Sequence, residues 1–286
     1  MSLIQAILMG VIQGITEFLP VSSSGHLAIF SYIFNVNTDT GLLFEVMLHL
    51  GTLIAVFTVY WRDIATLFVE GIGICVDFVK NIIAMIKKEE RVKIIKNAHR
   101  KFVMLIIVTT IPTMIIGLLF DDLIDQASNT LLVPGICLIL NAIVLLFVGS
   151  LPGGKKKVKK TTYLDALAVG TAQGVAVLPG ISRSGSTICA CLGLGLKRDF
   201  AVKYSFIASI PVILGANILE LRHFTSAMAS GVNLVYYFIG MAVSAVVGYI
   251  CIRIMIYMVS NRKFSYFAYY CGLAGIVSLI FYFFIL

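Results

Sequence analysis

The sequence predicts an all-α polytopic membrane protein, in which six full transmembrane helices and two re-entrant helix-loop-helix pairs form an inverted-topology repeat. Of the 286 residues, 59% are hydrophobic and 13% are charged, whereas soluble domains average about 25% charged residues. The apolar residues occur in long unbroken runs, which indicate membrane helices rather than the short alternating segments of a β-barrel. A polar motif interrupts these runs twice, and the apolar segments beside it are too short to cross a bilayer.

The two copies of the motif share their residues and their spacing. Each copy has an apolar run, a Leu-Pro pair, a turn rich in serine and a second short apolar run. Polar side chains at membrane depth are tolerated where they line a protected cavity, so we expect both turns to face one cavity. The first copy contains Gly10, Gln13, Gly14, Ser22, Ser24 and Gly25, and 160 positions later the second contains Gly170, Gln173, Gly174, Ser182, Ser184 and Gly185.

Taken in order, the apolar runs form two short pairs and six long segments. The short pairs are 2–19 with 24–34 and 162–178 with 185–196, and each pair is expected to enter the bilayer and return on the same side. A full span needs about 20 apolar residues. Segments of about that length lie at 41–60, 102–120, 131–149, 200–220, 232–258 and 266–286.

Residues 64–86 could pass for a further span, but polar residues recur along this region at helical spacing. Such a pattern predicts an amphipathic helix that lies in the membrane interface. The polar positions are Arg62, Thr66, Glu70, Asp77, Lys80 and Asn81.

The charged segments predict the orientation of the spans. The basic segments 87–101 and 153–160 are expected in the cytoplasm, and the acidic connector around 121–125 outside. The net charge of +8 arises from bases that cluster between apolar runs. It therefore indicates orientation, and we expect no nucleic-acid partner.

This assignment gives the two halves of the chain inverted topologies. The repeats cover approximately 1–149 and 162–286, and a flexible basic linker at 150–161 joins them. We expect 1–286 to form a single integral membrane domain. Inverted repeats place a binding site near the bilayer midplane, where the broken helices meet.

The two serine-rich turns have the chemistry of a phosphate site. Each turn precedes a short helix, and a helix N-terminus presents free N–H groups and partial positive charge. Arg183 adds a planar, permanently charged fork that matches phosphate oxygens, and Ser182, Ser184 and Thr187 add hydroxyl donors. The alternative is that the hydroxyls only cap helices and that Arg183 pairs with Glu17.

The two copies differ in the groups that could carry out chemistry. The first has Gln13 and Glu17 on one helix face and His26 after the serines, whereas the second has Arg183. A symmetric transporter has little reason for this division, but a hydrolase needs a nucleophile and base opposite a charge-stabilising group. Gln13 and Glu17 also suit a hydrated divalent cation that bridges to phosphates.

The two motifs resemble the signature sequences of the undecaprenyl-diphosphate phosphatase family, the BacA type linked to bacitracin resistance. The resemblance implies a bacterial plasma-membrane enzyme with a site open to the outer face. It would hydrolyse a polyprenyl diphosphate lipid to the monophosphate and inorganic phosphate with Mg²⁺ or Ca²⁺. The matching stretches are Gln13-x-x-x-Glu17-Phe18-Leu19-Pro20-Val21-Ser22-Ser23-Ser24-Gly25-His26 and Pro179-Gly180-Ile181-Ser182-Arg183-Ser184-Gly185-Ser186-Thr187.

The same resemblance implies roles for the site residues. Ser23 would be the nucleophile and His26 its base, although direct attack by His26 or by an activated water stays open. Glu17 and Gln13 would hold the metal or orient the nucleophile. The family has Glu or Gln at the first of these positions, so Gln13 carries one negative charge fewer than the Glu form. Substrate would be bound by Ser22, Ser24, Ser182, Arg183, Ser184 and Thr187, with the intramembrane Glu45 as a further candidate.

Other functions and assemblies are also considered. The rival function is a transporter or flippase of an anionic polyprenyl phosphate lipid, because inverted repeats recur in secondary transporters. Membrane lipids are expected partners, and a homodimer is one assembly to be tested. Release of phosphate from a prenyl diphosphate would distinguish the enzyme from the transporter.

Overall fold

The computed structural model describes residues 1–34, 41–128, 130–149, 153–220 and 234–284, and these residues form helices and connecting turns with no β-strand. Six helices in this part of the chain are long and apolar enough to cross a membrane, namely Leu43–Lys87, Ala98–Leu119, Leu132–Gly149, Arg198–Leu219, Leu234–Ser260 and Ser265–Phe284. They confirm the prediction of a polytopic helical membrane protein. In chain order the helices are α1 (Leu3–Phe18), α2 (Ser23–Ile33), α3 (Gly41–Lys87), α4 (Ala98–Leu119), α5 (Asp121–Ser128), α6 (Leu132–Gly149), a 3₁₀ turn (Val158–Lys160), α7 (Tyr163–Val175), α8 (Arg183–Gly193), α9 (Arg198–Glu220), α10 (Leu234–Ser260) and α11 (Ser265–Phe284).

Helix α3 has a kink where the sequence predicts the boundary between two elements. The expected span 41–60 and the expected amphipathic helix 64–86 are two helical parts that meet at Tyr60, whose backbone angles are non-helical (φ −110°, ψ 22°). No proline or glycine lies between the two parts, and the chain passes from one to the other without a loop.

The polar side of the second part of α3 is covered by the segment that follows it. Arg100 Nε donates to Glu70 Oε2 at 2.8 Å, and Lys96 Nζ lies 2.6 Å from Asp77 Oδ2. The side-chain amide of Asn81 bonds both the N–H and the C=O of Val92, each at 2.8 Å. The predicted polar side is therefore bound by protein groups, while large apolar side chains on other faces of this helix are exposed.

The basic linker is ordered by backbone hydrogen bonds, so the expectation of a flexible linker was wrong over the described residues 153–161. Gly154 N donates to Leu196 O, Lys156 N to Gly195 O, and Lys197 N to Lys156 O, at 2.8–3.2 Å. The physical reason is that the α8–α9 turn presents backbone groups that need partners. Residues 150–152 lie outside the described part, as do the last two residues of the chain.

The short helices α1 and α7 each pack against a long helix from the other half of the chain. Helix α1 lies on α10, and α7 lies on α4. Glycines permit these close approaches, as in other membrane helix pairs. A Cβ atom on Gly10 would lie 2.6 Å from Gly240 O, and one on Gly170 would lie 2.1 Å from Thr109 O. This packing brings the ends of α1 and α7, with the turns that follow them, into the centre of the molecule.

Candidate active site

Both serine-rich turns fold as helix starts capped by their own hydroxyl groups. Ser22 is the N-cap of α2, and its Oγ accepts from Gly25 N at 3.3 Å. Ser182 is the N-cap of α8, and its Oγ accepts from Gly185 N at 3.1 Å. Ser22 and Ser182 therefore cap helices, as the alternative interpretation expects. The N-termini of α2 and α8 are both available in one region.

The two turns are in direct contact. Gly180 N donates to Ser22 Oγ at 3.1 Å, and Ser184 Oγ donates to Leu19 O at 3.2 Å. Asn141 on α6 joins the turns from the side, because its Nδ2 donates to Pro20 O at 2.9 Å and its Oδ1 accepts from Ser182 N at 3.3 Å. Groups that are about 160 residues apart in the chain thus form one polar region among apolar helices.

Glu17 is the centre of this polar region. The residue is 5% exposed, and its Oε2 accepts from Ser23 Oγ at 2.6 Å and from Gln13 Nε2 at 3.0 Å. Its Oε1 accepts from Nη2 of Arg183, which is the first residue of α8. The structure therefore brings Ser23, Glu17, Gln13 and Arg183 together, and it includes the Arg183–Glu17 ion pair of the alternative interpretation.

His26 does not contact the Ser23 hydroxyl, contrary to the expected nucleophile–base pair. Its Nδ1 lies 2.8 Å from Ser22 O, and its Nε2 lies 2.8 Å from Tyr270 Oη. The physical reason is that Ser23 turns back towards Glu17 on the preceding helix, whereas the imidazole lies on the other side of the turn against α11. Glu17 lies beside the Ser23 hydroxyl, in the position that was expected for His26.

His49 belongs to the same cluster, which the sequence did not reveal. Its Nδ1 lies 3.0 Å from Gln13 Nε2 and 3.6 Å from Glu17 Oε2. Glu45 lies one turn earlier on α3 and is partly buried. A histidine inside an apolar span is visible in the sequence as an unusual polar residue, but its contact with Gln13 on α1 depends on tertiary packing.

Most of the hydroxyls expected to bind substrate are already bonded within the protein. Thr187 Oγ1 lies 2.5 Å from Ser205 Oγ, and Ser182 Oγ lies 3.2 Å from Ser184 Oγ. These three residues of the second turn are at most 1% exposed. Ser24 is exposed and can reach a ligand without any rearrangement of the turn, and Ser23 is partly exposed.

The residues present fit a hydrated divalent cation. Gln13 is fully buried, and its Oε1 has no hydrogen-bond partner among the described residues. This oxygen belongs to the side chain that also contacts the Glu17 carboxylate. Mg²⁺ and Ca²⁺ bind oxygen ligands, and Mg²⁺ commonly uses one or two carboxylates together with water and substrate phosphates. Glu17 and Gln13 are thus a chemically suitable pair of protein ligands.

Two further residues of the site had weak or no sequence signals. Asn141 was detectable as an amide within an apolar run of α6, although nothing in the run indicated that it bridges the two turns. Tyr270 had no distinguishing signal, because α11 also carries Tyr266 and Tyr269. Both residues act at the site because their helices pack beside it.

The arrangement can support nucleophilic displacement at phosphorus. A serine hydroxyl needs an adjacent acceptor to become a nucleophile, and Glu17 supplies one at 2.6 Å from Ser23 Oγ. Arg183 and two helix N-termini supply positive charge close to it. These are the elements that stabilise charge on phosphoryl oxygens.

Comparison with known proteins identifies the family. The family model described as "Bacitracin resistance protein BacA" matches residues 6–277. A protein of Treponema denticola named undecaprenyl-diphosphatase is 42% identical, over 94% of both chains. A protein of the same name from Alkaliphilus metalliredigens is 40% identical, over 98% of this chain and 99% of that protein. Another, from Methanosphaera stadtmanae, is 39% identical, over 98% of both chains. The chain therefore belongs to the BacA family.

Proposed function

We propose that the protein is a membrane phosphatase that hydrolyses undecaprenyl diphosphate to undecaprenyl phosphate and inorganic phosphate. This reaction recycles the lipid carrier used in cell-wall synthesis. One observation carries the proposal, namely the serine hydroxyl that donates to a buried carboxylate which also binds an arginine. The relatives named undecaprenyl-diphosphatase, similar over nearly the whole chain, support the substrate.

In the proposed reaction Ser23 Oγ attacks the terminal phosphorus. A bond forms between Oγ and phosphorus, and the bond from that phosphorus to the bridging oxygen breaks, with its electron pair leaving on the lipid monophosphate. The Ser23 proton passes to Glu17 Oε2. The oxygen of a water molecule then bonds to phosphorus while the bond from Ser23 Oγ to phosphorus breaks. Phosphate leaves with the water oxygen and both water protons, and Ser23 Oγ recovers its proton from Glu17.

Arg183 stabilises the charge that develops on the transferred phosphoryl group. Its guanidinium has five N–H donors, and the one acceptor it contacts among the described residues is Glu17. Phosphate oxygens would bind the remaining donors, together with the exposed Ser24 and the N-termini of α2 and α8. Glu45, partly buried one turn before His49, stays a candidate for substrate contact.

A divalent cation would be held by Glu17 and Gln13. When bound, Mg²⁺ or Ca²⁺ supplies positive charge that neutralises the diphosphate oxygens. The free Oε1 of Gln13 supports this assignment.

A lipid transporter is the second candidate. It is less well supported, because the Gln13–Glu17 pair of the first copy has Gln173 and Val177 as its counterpart in the second. A protein that only moved its ligand would not require a nucleophile and acceptor in one copy alone.

We also propose that the two halves form an inverted repeat with two re-entrant pairs. The packing between the halves supports this, since the first helix of each half lies on the second long helix of the other, α1 on α10 and α7 on α4. The short lengths support it too, because α1 and α2 have 16 and 11 residues and α7 and α8 have 13 and 11, whereas a full span needs about 20.

The proposed location is the bacterial plasma membrane, with the active site open to the outer face and the basic segments in the cytoplasm. Lys101 Nζ donates to Lys159 O at 2.7 Å. This contact supports the placement of both basic segments on the same side of the membrane. Lys and Arg are enriched in cytoplasmic loops, so we expect that side to be the cytoplasm.

Phosphate release by the purified protein in detergent tests the proposed function. With a prenyl diphosphate as substrate, we expect turnover that a chelator suppresses and added Mg²⁺ or Ca²⁺ restores. Failure to release phosphate with either cation would contradict the phosphatase and favour the transporter.

A further inference from the structure

The imidazole of His26 is fixed at both nitrogens. A carbonyl oxygen can only accept a hydrogen bond, so His26 Nδ1 carries a hydrogen and donates to Ser22 O at 2.8 Å. In the neutral ring Nε2 is then an acceptor, and the Tyr270 hydroxyl donates to it at 2.8 Å. The two rings are also stacked, with centroids 5.5 Å apart and an angle of 12° between their planes.

Ser22, whose carbonyl accepts the bond from His26 Nδ1, has an unusual backbone conformation. Ser22 has a φ of +69°, in the left-handed region that non-glycine residues seldom adopt unless neighbouring contacts hold them there. Its carbonyl accepts from His26, and its Oγ accepts from Gly25 N and from Gly180 N. The next residue, Ser23, donates its hydroxyl to Glu17 Oε2 at 2.6 Å.

We propose that Tyr270 is a positioning residue for the reaction. Its hydroxyl fixes the tautomer and the orientation of His26, and His26 in turn holds the Ser22 carbonyl so that the Ser23 hydroxyl faces Glu17. The last helix of the chain thus acts on a nucleophile near the first. This inference rests on the proposed phosphatase activity.

A different role for Tyr270 would have different kinetics. Tyr270 and His26 line a cavity of about 190 Å³, whose walls also include Ile29, Phe30 and Val277. If Tyr270 served only as a wall for a lipid chain, its ring would matter for substrate affinity and its hydroxyl would not. If it positions His26, loss of the hydroxyl lowers the rate of the chemical step.

The test is Tyr270→Phe, which removes the hydroxyl and keeps the ring. With farnesyl diphosphate in detergent, we expect kcat to fall about tenfold, the usual scale for one lost hydrogen bond, with KM within about twofold of the wild type. Tyr269→Phe is the matched control, because Tyr269 lies beside Tyr270 on the same helix and is the more exposed of the two, 68% against 48%, and it should keep wild-type kinetics. Thermal unfolding of both variants checks that the fold is intact.

A double variant separates positioning from an independent effect. Since Tyr270 acts through His26, Tyr270→Phe should add no further loss in a His26→Ala background. An unchanged kcat, a rise in KM alone, or additive losses in the double variant would overturn the proposal. Absence of phosphate release by the wild type would instead overturn the proposed function, on which this inference depends.

Discussion

At the scale of single residues, Ser23 and His26 bond to different parts of the fold: Ser23 Oγ donates to Glu17, whereas the His26 ring lies between Ser22 O and Tyr270 Oη. Ser23 and His26 are three residues apart, and that spacing suggested a shared helix face. Ser23 is the first residue of α2, and its hydroxyl turns back across the Pro20 turn to Glu17. A pattern along one helix cannot show a partner on the helix before it, and the contact of His26 with Tyr270 had no local signal.

Arg183→Lys should reduce turnover by about 10- to 100-fold, although it keeps the positive charge. Lysine lacks the planar fork that binds two phosphate oxygens together, and a hydrogen bond to a charged group contributes about 1.5–3 kcal/mol. Steady-state phosphate release measures the effect. Arg253→Lys is the control, since Arg253 is exposed on α10 against the Tyr249 ring. Near wild-type turnover by Arg183→Lys would mean that Arg183 provides only a general charge.

At the scale of helices, hydrophobic runs predicted the six long helices well, because length and apolarity are local properties of the sequence. The boundary inside α3 was predicted in the same way, because the charged residues after Trp61 end an apolar run and the helix kinks at the adjacent Tyr60. The fixed basic linker was missed, since its partners are backbone groups of the distant α8–α9 turn.

The packing of α7 on α4 should depend on the absence of a side chain at Gly170. A methyl group there would lie 2.1 Å from Thr109 O, whereas one at Gly117 on α4 would have no neighbour within 4 Å. Overpacking of this kind costs about 1–3 kcal/mol, so Gly170→Ala should lower the unfolding temperature in detergent by several degrees. Gly117→Ala should leave it unchanged or slightly higher. Equal unfolding temperatures for the two variants would contradict the close approach.

At the scale of the whole molecule, the duplicated motif predicted that two distant turns belong to one region. The structure has these turns in contact, joined by Asn141. The repeat alone could not reveal how the halves interlock, because the packing of α1 on α10 and of α7 on α4 depends on long-range contacts.

Cysteine labelling in intact cells tests the orientation of the molecule. A cysteine at the exposed Lys157 should be protected from an impermeant thiol reagent, because basic segments are expected in the cytoplasm. A cysteine at Gln126, exposed on α5, should be labelled. Both are introduced into a variant without the exposed Cys75. Labelling at position 157 from outside would reverse the proposed topology.

The central claim is that Ser23 attacks phosphorus while Glu17 accepts its proton, and the most direct measurement is phosphate release by Ser23→Ala. Loss of the nucleophile should lower kcat by at least the 10²–10⁴-fold that is typical for a positioned proton acceptor. Ser31→Ala is the control, because it removes a serine of the same helix that lies away from the cluster, and it should match the wild type. Near-normal turnover by Ser23→Ala would contradict a serine nucleophile and assign the attack to another group.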